Sequence, residues 1–227
     1  MTPVVDIDAV RTEFLRRMTR GNLAILREVE QYATAQLGKM LRPRLTLAAA
    51  ATLGTEVLHS RRTLLMAVCV EMLHNASLFH DDIIDRAATR RGQPSVNARW
   101  GNGVAVLVGD YILAQIMDLL DEVYDREAQH IVNGTVQAMV EAELLALTPG
   151  LMNEERYLRI IDGKTAQLFA TACHLGNPIY HDFGLHYGRI FQMRDDIADN
   201  EAYPFTEDLL HREEEILATL PQLAINI

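Results

Sequence analysis

Two acid clusters of identical layout constrain this chain more than any other feature. Ser77-Leu78-Phe79-His80-Asp81-Asp82-Ile83-Ile84-Asp85 is an apolar run that ends in three acids, and Phe191-Gln192-Met193-Arg194-Asp195-Asp196-Ile197-Ala198-Asp199 repeats the arrangement 114 residues later. On a helix the first and last acids of each cluster stand one turn apart on one face, with the middle acid about 100° round. Like charges at that spacing repel. The pattern therefore asks for a compensating cation, and oxygen-only ligands suit a hard one such as Mg²⁺. One cluster alone reads better as a solvated acidic turn. Two of them can face each other across a helical bundle. Because Mg²⁺ is usually held by one or two carboxylates together with phosphate oxygens and water, the pair points to a diphosphate-bearing ligand.

The 227 residues, 49% of them hydrophobic, are enough for one sizeable core and do not demand a second domain. No uninterrupted apolar run approaches the eighteen or so residues of a membrane span. The start, Met1-Thr2-Pro3-Val4-Val5-Asp6, lacks the basic-then-apolar layout of a signal peptide. A cytoplasmic protein that is not integral to a membrane is the expectation. A net charge of −10 argues against nucleic acid as a partner. Cys69 and Cys173 lie in apolar helical patterns without metal-type spacing, as buried reduced thiols do. Of the 21 basic residues 19 are arginine, which leaves Lys39 and Lys164 as the only lysines.

Taken in order, residues 6–37 read as two helical pieces interrupted near Gly21-Asn22. Gly38-Lys39-Met40-Leu41-Arg42-Pro43-Arg44 breaks that pattern and restarts it as an Ala-rich buried helix ending at Gly54. Its basic residues then lie at a helix N-terminus, where backbone N–H groups favour phosphate. Ser60 suits the N-cap of a long helix reaching Asp85, with His74 about two turns before Asp81 on roughly its face. Residues 86–100 show no clear periodicity and carry Arg86, Arg90, Arg91 and Arg99. Helices follow over 103–123, 127–147 and, capped by Asn153, 153–175; the next carries the second acid cluster to Asn200. Glu201 to Ile227 holds six acids against Arg212 and predicts one amphipathic helix from Thr206 to Leu220 that uses Leu209, Leu210, Ile216, Leu217 and Leu220. No strand alternation is evident. The chain predicts one all-α helical bundle spanning 1–227.

Together these residues resemble the trans-type polyprenyl diphosphate synthases. The likeness covers about 38–200: Gly38-Lys39 with Arg42-Pro43, Glu71 and His74, Asp81-Asp82-Ile83-Ile84-Asp85, Arg90-Arg91-Gly92-Gln93-Pro94, Gly109-Asp110-Tyr111, Lys164-Thr165, and Phe191-Gln192 with Asp195-Asp196 and Asp199, in the family's order. The resemblance implies an isoprenoid-synthase bundle with a central active-site cavity, and an Mg²⁺-dependent prenyltransferase. Such an enzyme joins isopentenyl diphosphate to an allylic diphosphate by ionisation, condensation and elimination. It implies three Mg²⁺ ions held by Asp81, Asp82 and Asp85 on one side and Asp195, Asp196 and Asp199 on the other. Lys39, Arg42, His74 and Arg91 would hold isopentenyl diphosphate, and Arg90, Lys164, Thr165 and Gln192 the allylic side. Asp81, Asp82, Asp85, Lys164 and Asp195 are the catalytic set so implied. Ala76 and Ser77, about one turn before Asp81, would line a product tunnel; neither is a bulky plug, which in this family goes with products of twenty carbons or more. A homodimer is the implied assembly.

The match fails after the second cluster. The family continues with a glycine-lysine segment and further helices, whereas no lysine follows Lys164 and residues 201–227 are acidic. Two explanations stand side by side. One is a compact synthase in which Arg194, Arg212 or a partner subunit closes the site. The other is a non-catalytic or regulatory subunit of a heteromeric synthase. The complete acid sets favour the enzyme, because carboxylates that repel one another have no use without a metal-bound diphosphate.

Overall fold

Five of the helix starts can be traced to a local signal. Asp6, Ser60, Ser95, Asp125 and Asn153 all accept a backbone N–H three residues on, so that five helices begin at side-chain caps. In the computed structural model, which describes residues 6–35 and 37–224, the elements are helical with one small exception. They are α1 (Ile7–Met18), α2 (Ala24–Thr34), α3 (Leu41–Ala51), α4 (Thr55–Leu58), α5 (Arg61–Ile84), β1 (Thr89–Arg90), β2 (Gln93–Pro94), α6 (Val96–Trp100), α7 (Asn102–Val123), α8 (Arg126–Leu147), α9 (Glu154–Ile161), a π-turn (Asp162–Ala166), α10 (Gln167–Gly176), a 3₁₀ turn (Pro178–Tyr180), α11 (His181–Ala198) and α12 (Thr206–Thr219).

The bundle is built around α5, whose residues from Leu65 to Leu73 are buried on all sides. Such a helix carries no polar stripe because α1, α3, α7 and α10 cover it all round. On the far side α10 packs on α11, and α12 closes over α11. A smaller apolar cluster, Tyr157, Ile161, Met193 and Leu209, ties α9, α11 and α12 together.

Four expectations change. The aperiodic stretch after Asp85 folds into a two-residue antiparallel ladder, Thr89 to Pro94 and Arg90 to Gln93, followed by the short α6. The single helix expected over 153–175 is interrupted by the π-turn. α12 does not turn Ile216 inward: that residue is 41% exposed, and the buried face is Thr206, Leu209 and the acid Glu213. Lastly, α7 is apolar and long enough to cross a bilayer by length and composition. Its core face, with Ile112 and Leu119 fully buried, packs along α5. Cys69 and Cys173 are buried free thiols, and burial pushes the Cys69 thiol up to about 12.

Candidate active site

The two acid clusters are structural copies of one helix ending. At the end of α5 the N–H of Arg86 bonds Ile83 O (3.2 Å) and that of Ala87 bonds Asp82 O (2.9 Å). At the end of α11 the N–H of Asn200 bonds Ile197 O (3.3 Å) and that of Glu201 bonds Asp196 O (2.8 Å). Arg86 and Asn200 both turn left-handed, at φ 53° and 59°. This double-bonded cap stops each helix within its acids. The carboxylates thus collect at the negative end of a helix dipole, where they are least stable unless a cation joins them.

Around the first cluster the three acids have different surroundings. Asp82 is buried (5% exposed), accepts the Arg90 Nε–H at 2.9 Å, and its carbonyl takes the Asn97 side-chain N–H at 3.1 Å. Asp85 is exposed. Asp81 lies between, and its carboxyl is pushed up to about 7, first by burial and then by the nearby charges of Glu143 and Asp85, with Lys164 and Arg90 pulling the other way. An acid held that far from its ordinary range is one whose ionised form lacks a sufficient counter-charge.

The second cluster meets the first through the π-turn. Gly163 sits so close to α8 that a Cβ there would fall 2.3 Å from Ala142 Cβ and 2.5 Å from Ala138 O. That approach sets Lys164 against α8, where its Nζ pairs with Glu143 Oε1 at 2.7 Å, within the field of Asp85 and Asp81. Burial works against the Lys164 charge, but the Glu143 hydrogen bond and attraction outweigh it and the ammonium is raised. The next residue, Thr165, donates to Gln192 Oε1 (2.6 Å), and Gln192 Nε2 donates to Asp196 Oδ1 (2.8 Å). Tyr157 Oη donates to Asp196 Oδ2 at 2.5 Å. Asp196 is therefore held by two protein donors, while Asp195 and Asp199 face solvent. Burial, then Asp199 and Asp196, raise Asp195. A cleft of about 500 Å³ opens here, with Lys164, Thr165, Gln192, Asp196, Glu201 and Tyr203 in its wall.

A cluster of basic residues gathers around Gly38 and Arg91. A Cβ on Gly38 would come within 3.0 Å of an Arg91 guanidinium nitrogen, so the Gly38 junction and the paired-arginine loop touch. Arg42 stacks over the Phe169 ring, 4.5 Å from its centroid. Burial draws the Arg42 guanidinium down to about 10 against the pull of Glu71, and its buried Nε finds no hydrogen-bond partner among the described residues. A buried donor left open on a cation is suited to an anionic ligand. His74 is held well below its ordinary value by burial and by Arg42, Arg91 and Arg90, so it is neutral at pH 7. Lys39 is exposed, and its backbone carbonyl accepts from Arg44 Nε (3.0 Å). Arg194 and Arg212, suited by sequence to close the site, are engaged at the surface with Glu214 and Glu154, each at 2.7 Å.

Residues 23–208 match the family model described as Polyprenyl synthetase. The chain belongs to that family. Among its curated relatives, the all-trans-nonaprenyl-diphosphate synthase (geranyl-diphosphate specific) of Rhodobacter capsulatus is 35% identical over 213 residues, 88% of this chain and 64% of that one. The heptaprenyl diphosphate synthase component 2 of Bacillus subtilis (strain 168) is 31% identical, over 86% of this chain and 58% of that one. Among solved structures, the polyprenyl synthase of Caulobacter crescentus CB15 complexed with calcium and isoprenyl diphosphate superposes with a TM-score of 0.79 at 32% identity, covering 84% of this chain and 61% of that one. The chain thus spans less than two thirds of the length of these relatives.

The donor set in this chain fits a divalent metal bound with diphosphate. Among the described residues no three acidic, histidine or cysteine side chains converge to hold an ion alone. One or two carboxylates completed by phosphate oxygens are what Mg²⁺ ordinarily uses. Sequence reasoning missed Glu143, Tyr157 and Phe169. Each touches a predicted site residue from a distant helix, and the only local sign was Gly163 in mid-helix.

Proposed function

We propose that this chain is a trans-prenyltransferase that joins isopentenyl diphosphate to an allylic prenyl diphosphate. The reading rests above all on the twin helix endings bridged by Lys164, Thr165 and Gln192. Asp81, Asp85, Asp195 and Asp199 present open carboxylates for the metal, three Mg²⁺ ions being the proposed complement, and Asp82 and Asp196 are braced behind them by Arg90, Tyr157 and Gln192. Bound Mg²⁺ supplies charge neutralisation for the departing diphosphate.

Lys164 and Arg90 take the remaining diphosphate oxygens on the allylic side. Arg42, Arg91 and Lys39 hold isopentenyl diphosphate, with neutral His74 offering a hydrogen bond. The allylic C–O bond breaks with its electron pair leaving on diphosphate, the isopentenyl double bond supplies the new C–C bond, and a proton is lost from the isopentenyl unit. Thr165 and Gln192 present oxygens towards the cationic carbon while the apolar walls keep water from it. Ala76, 1% exposed, and Ser77, whose hydroxyl is turned back to His74 O, leave the α5 face beyond Asp81 without a bulky side chain, which supports products of twenty carbons or more. The working assembly is a cytoplasmic homodimer.

A second reading, a subunit of a heteromeric synthase, is favoured by one observation: the cleft beside Asp196 gains an acid, Glu201, and its one cation is already paired with Glu143. Incubation with Mg²⁺, isopentenyl diphosphate and primers of several lengths, with the products sized, decides between the two. Turnover by the chain alone is expected. Turnover only after a second synthase subunit is added would establish the other reading, and no turnover in either case would sink both.

A further inference from the structure

Glu143 has no part in the reaction described above, yet its position is fixed by packing. Gly163 presses onto Ala138 and Ala142, so the residues that follow on each helix, Lys164 and Glu143, are set side by side. Lys164 lies in the field of three carboxylates, Glu143, Asp85 and Asp81, and its ion pair is with Glu143 at 2.7 Å. The Glu143 side chain is 16% exposed and that of Lys164 32%, so the pair is partly shielded from solvent. A lysine carries its charge on a flexible four-carbon stem. Released from Glu143, this ammonium would find its nearest opposite charges on Asp85 and Asp81, and a bond there would occupy the oxygens that a divalent cation needs.

We propose that Glu143 is a positioning residue that holds the Lys164 ammonium off Asp81 and Asp85, keeping both carboxylates open to the metal and the ammonium aimed at the diphosphate. The inference rests on the metal–diphosphate reading of the site. It accounts for an acid on α8 that would otherwise only add repulsion to a crowded negative site. It also explains why the close approach of the π-turn to α8 matters: the contact aligns the two partners.

Calorimetric titration of the purified chain with Mg²⁺ in the presence of inorganic pyrophosphate tests this, using the parent, Glu143→Ala, Glu143→Gln, Lys164→Met and the double variant Glu143→Ala/Lys164→Met. Gln keeps an oxygen that accepts from the ammonium while losing the charge. Glu143→Ala should weaken Mg²⁺ uptake about 10-fold, the lower end of what support of a metal ligand is worth. Glu143→Gln should keep most of the parent affinity. With Lys164 already replaced, Glu143→Ala should cost nothing more, since no ammonium is left to hold away. In turnover, Glu143→Ala should raise the Mg²⁺ needed for half-maximal rate and leave kcat at saturating Mg²⁺ close to the parent value. Equal losses in Ala and Gln, or a full loss on the Lys164→Met background, would overturn the proposal, because Glu143 would then act through its own charge. An Ala variant indistinguishable from the parent overturns it as well, with the site reading intact. A parent that takes up no Mg²⁺ with pyrophosphate overturns both. If Glu143→Ala fails to fold, as followed by circular dichroism, Glu143→Met of similar volume replaces it in every comparison.

Discussion

Arg189 and Asp162 are joined by a two-pronged ion pair, Nε to Oδ1 at 2.6 Å and Nη2 to Oδ2 at 2.8 Å, which ties α11 to the first residue of the π-turn. The same guanidinium donates from Nη1 to Glu213 on α12 at 3.0 Å, and Glu213 in turn meets His186. Fork-to-fork pairing of this kind fixes direction as well as distance. Replacing Arg189 by Met leaves two acids facing each other, one of them nearly buried. A loss of about 2 kcal/mol in urea unfolding is expected, with a larger proportional loss of pyrophosphate affinity than a surface arginine such as Arg11 would give.

His74 sets a pH window. Its folded value lies well below the ordinary 6.5 because burial and Arg42, Arg91 and Arg90 disfavour the charge. As pH falls through 6.5 the unfolded chain takes up a proton that the folded one refuses, so stability is lost with falling pH in that range. A His74→Gln variant should lose less stability than the parent between pH 7 and pH 5. Parallel loss in the two would show that His74 is not held neutral.

Gly163 is a site of close approach. Adding one methyl group forces it into Ala142 and Ala138 O, at 2.3 and 2.5 Å. Gly to Ala in an ordinary helix gains up to about 1 kcal/mol, while overpacking costs about 1–3 kcal/mol. Gly163→Ala should therefore destabilise, and it should weaken Mg²⁺–pyrophosphate binding by displacing Lys164 from Glu143. Thermal melts and titration on one sample check both.

Ala76 tests product length. It is 1% exposed on α5, one to two turns before Asp81. Ala76→Phe should shorten the longest product formed, at a stability cost of about 1–3 kcal/mol for overpacking. An unchanged product ladder from a folded variant would remove Ala76 from the tunnel.

Local patterns carry a great deal of this molecule. Helical periodicity, the caps at Ser60 and Asn153 and the repeated acid clusters are properties of short stretches, and the structure places helices there. The same locality limits what can be read. The stretch 86–100 has no period because a hairpin of two-residue strands and a five-residue helix are too short to show one. Glu213 is, by sequence, one of six acids between Glu201 and Ile227, and its burial follows from Arg189 and His186 on another helix.

From its own residues the chain determined where most of the helices run and that two of them end in acid clusters of one layout. The tertiary fold alone decided how those sets are braced and which charges meet: Tyr157 against Asp196, Phe169 beneath Arg42, Glu143 beside Lys164. The reason is physical. A helix period reports which face is apolar, whereas the partner of a buried charge is chosen by what a distant helix brings within about 3 Å, and no local pattern records that distance.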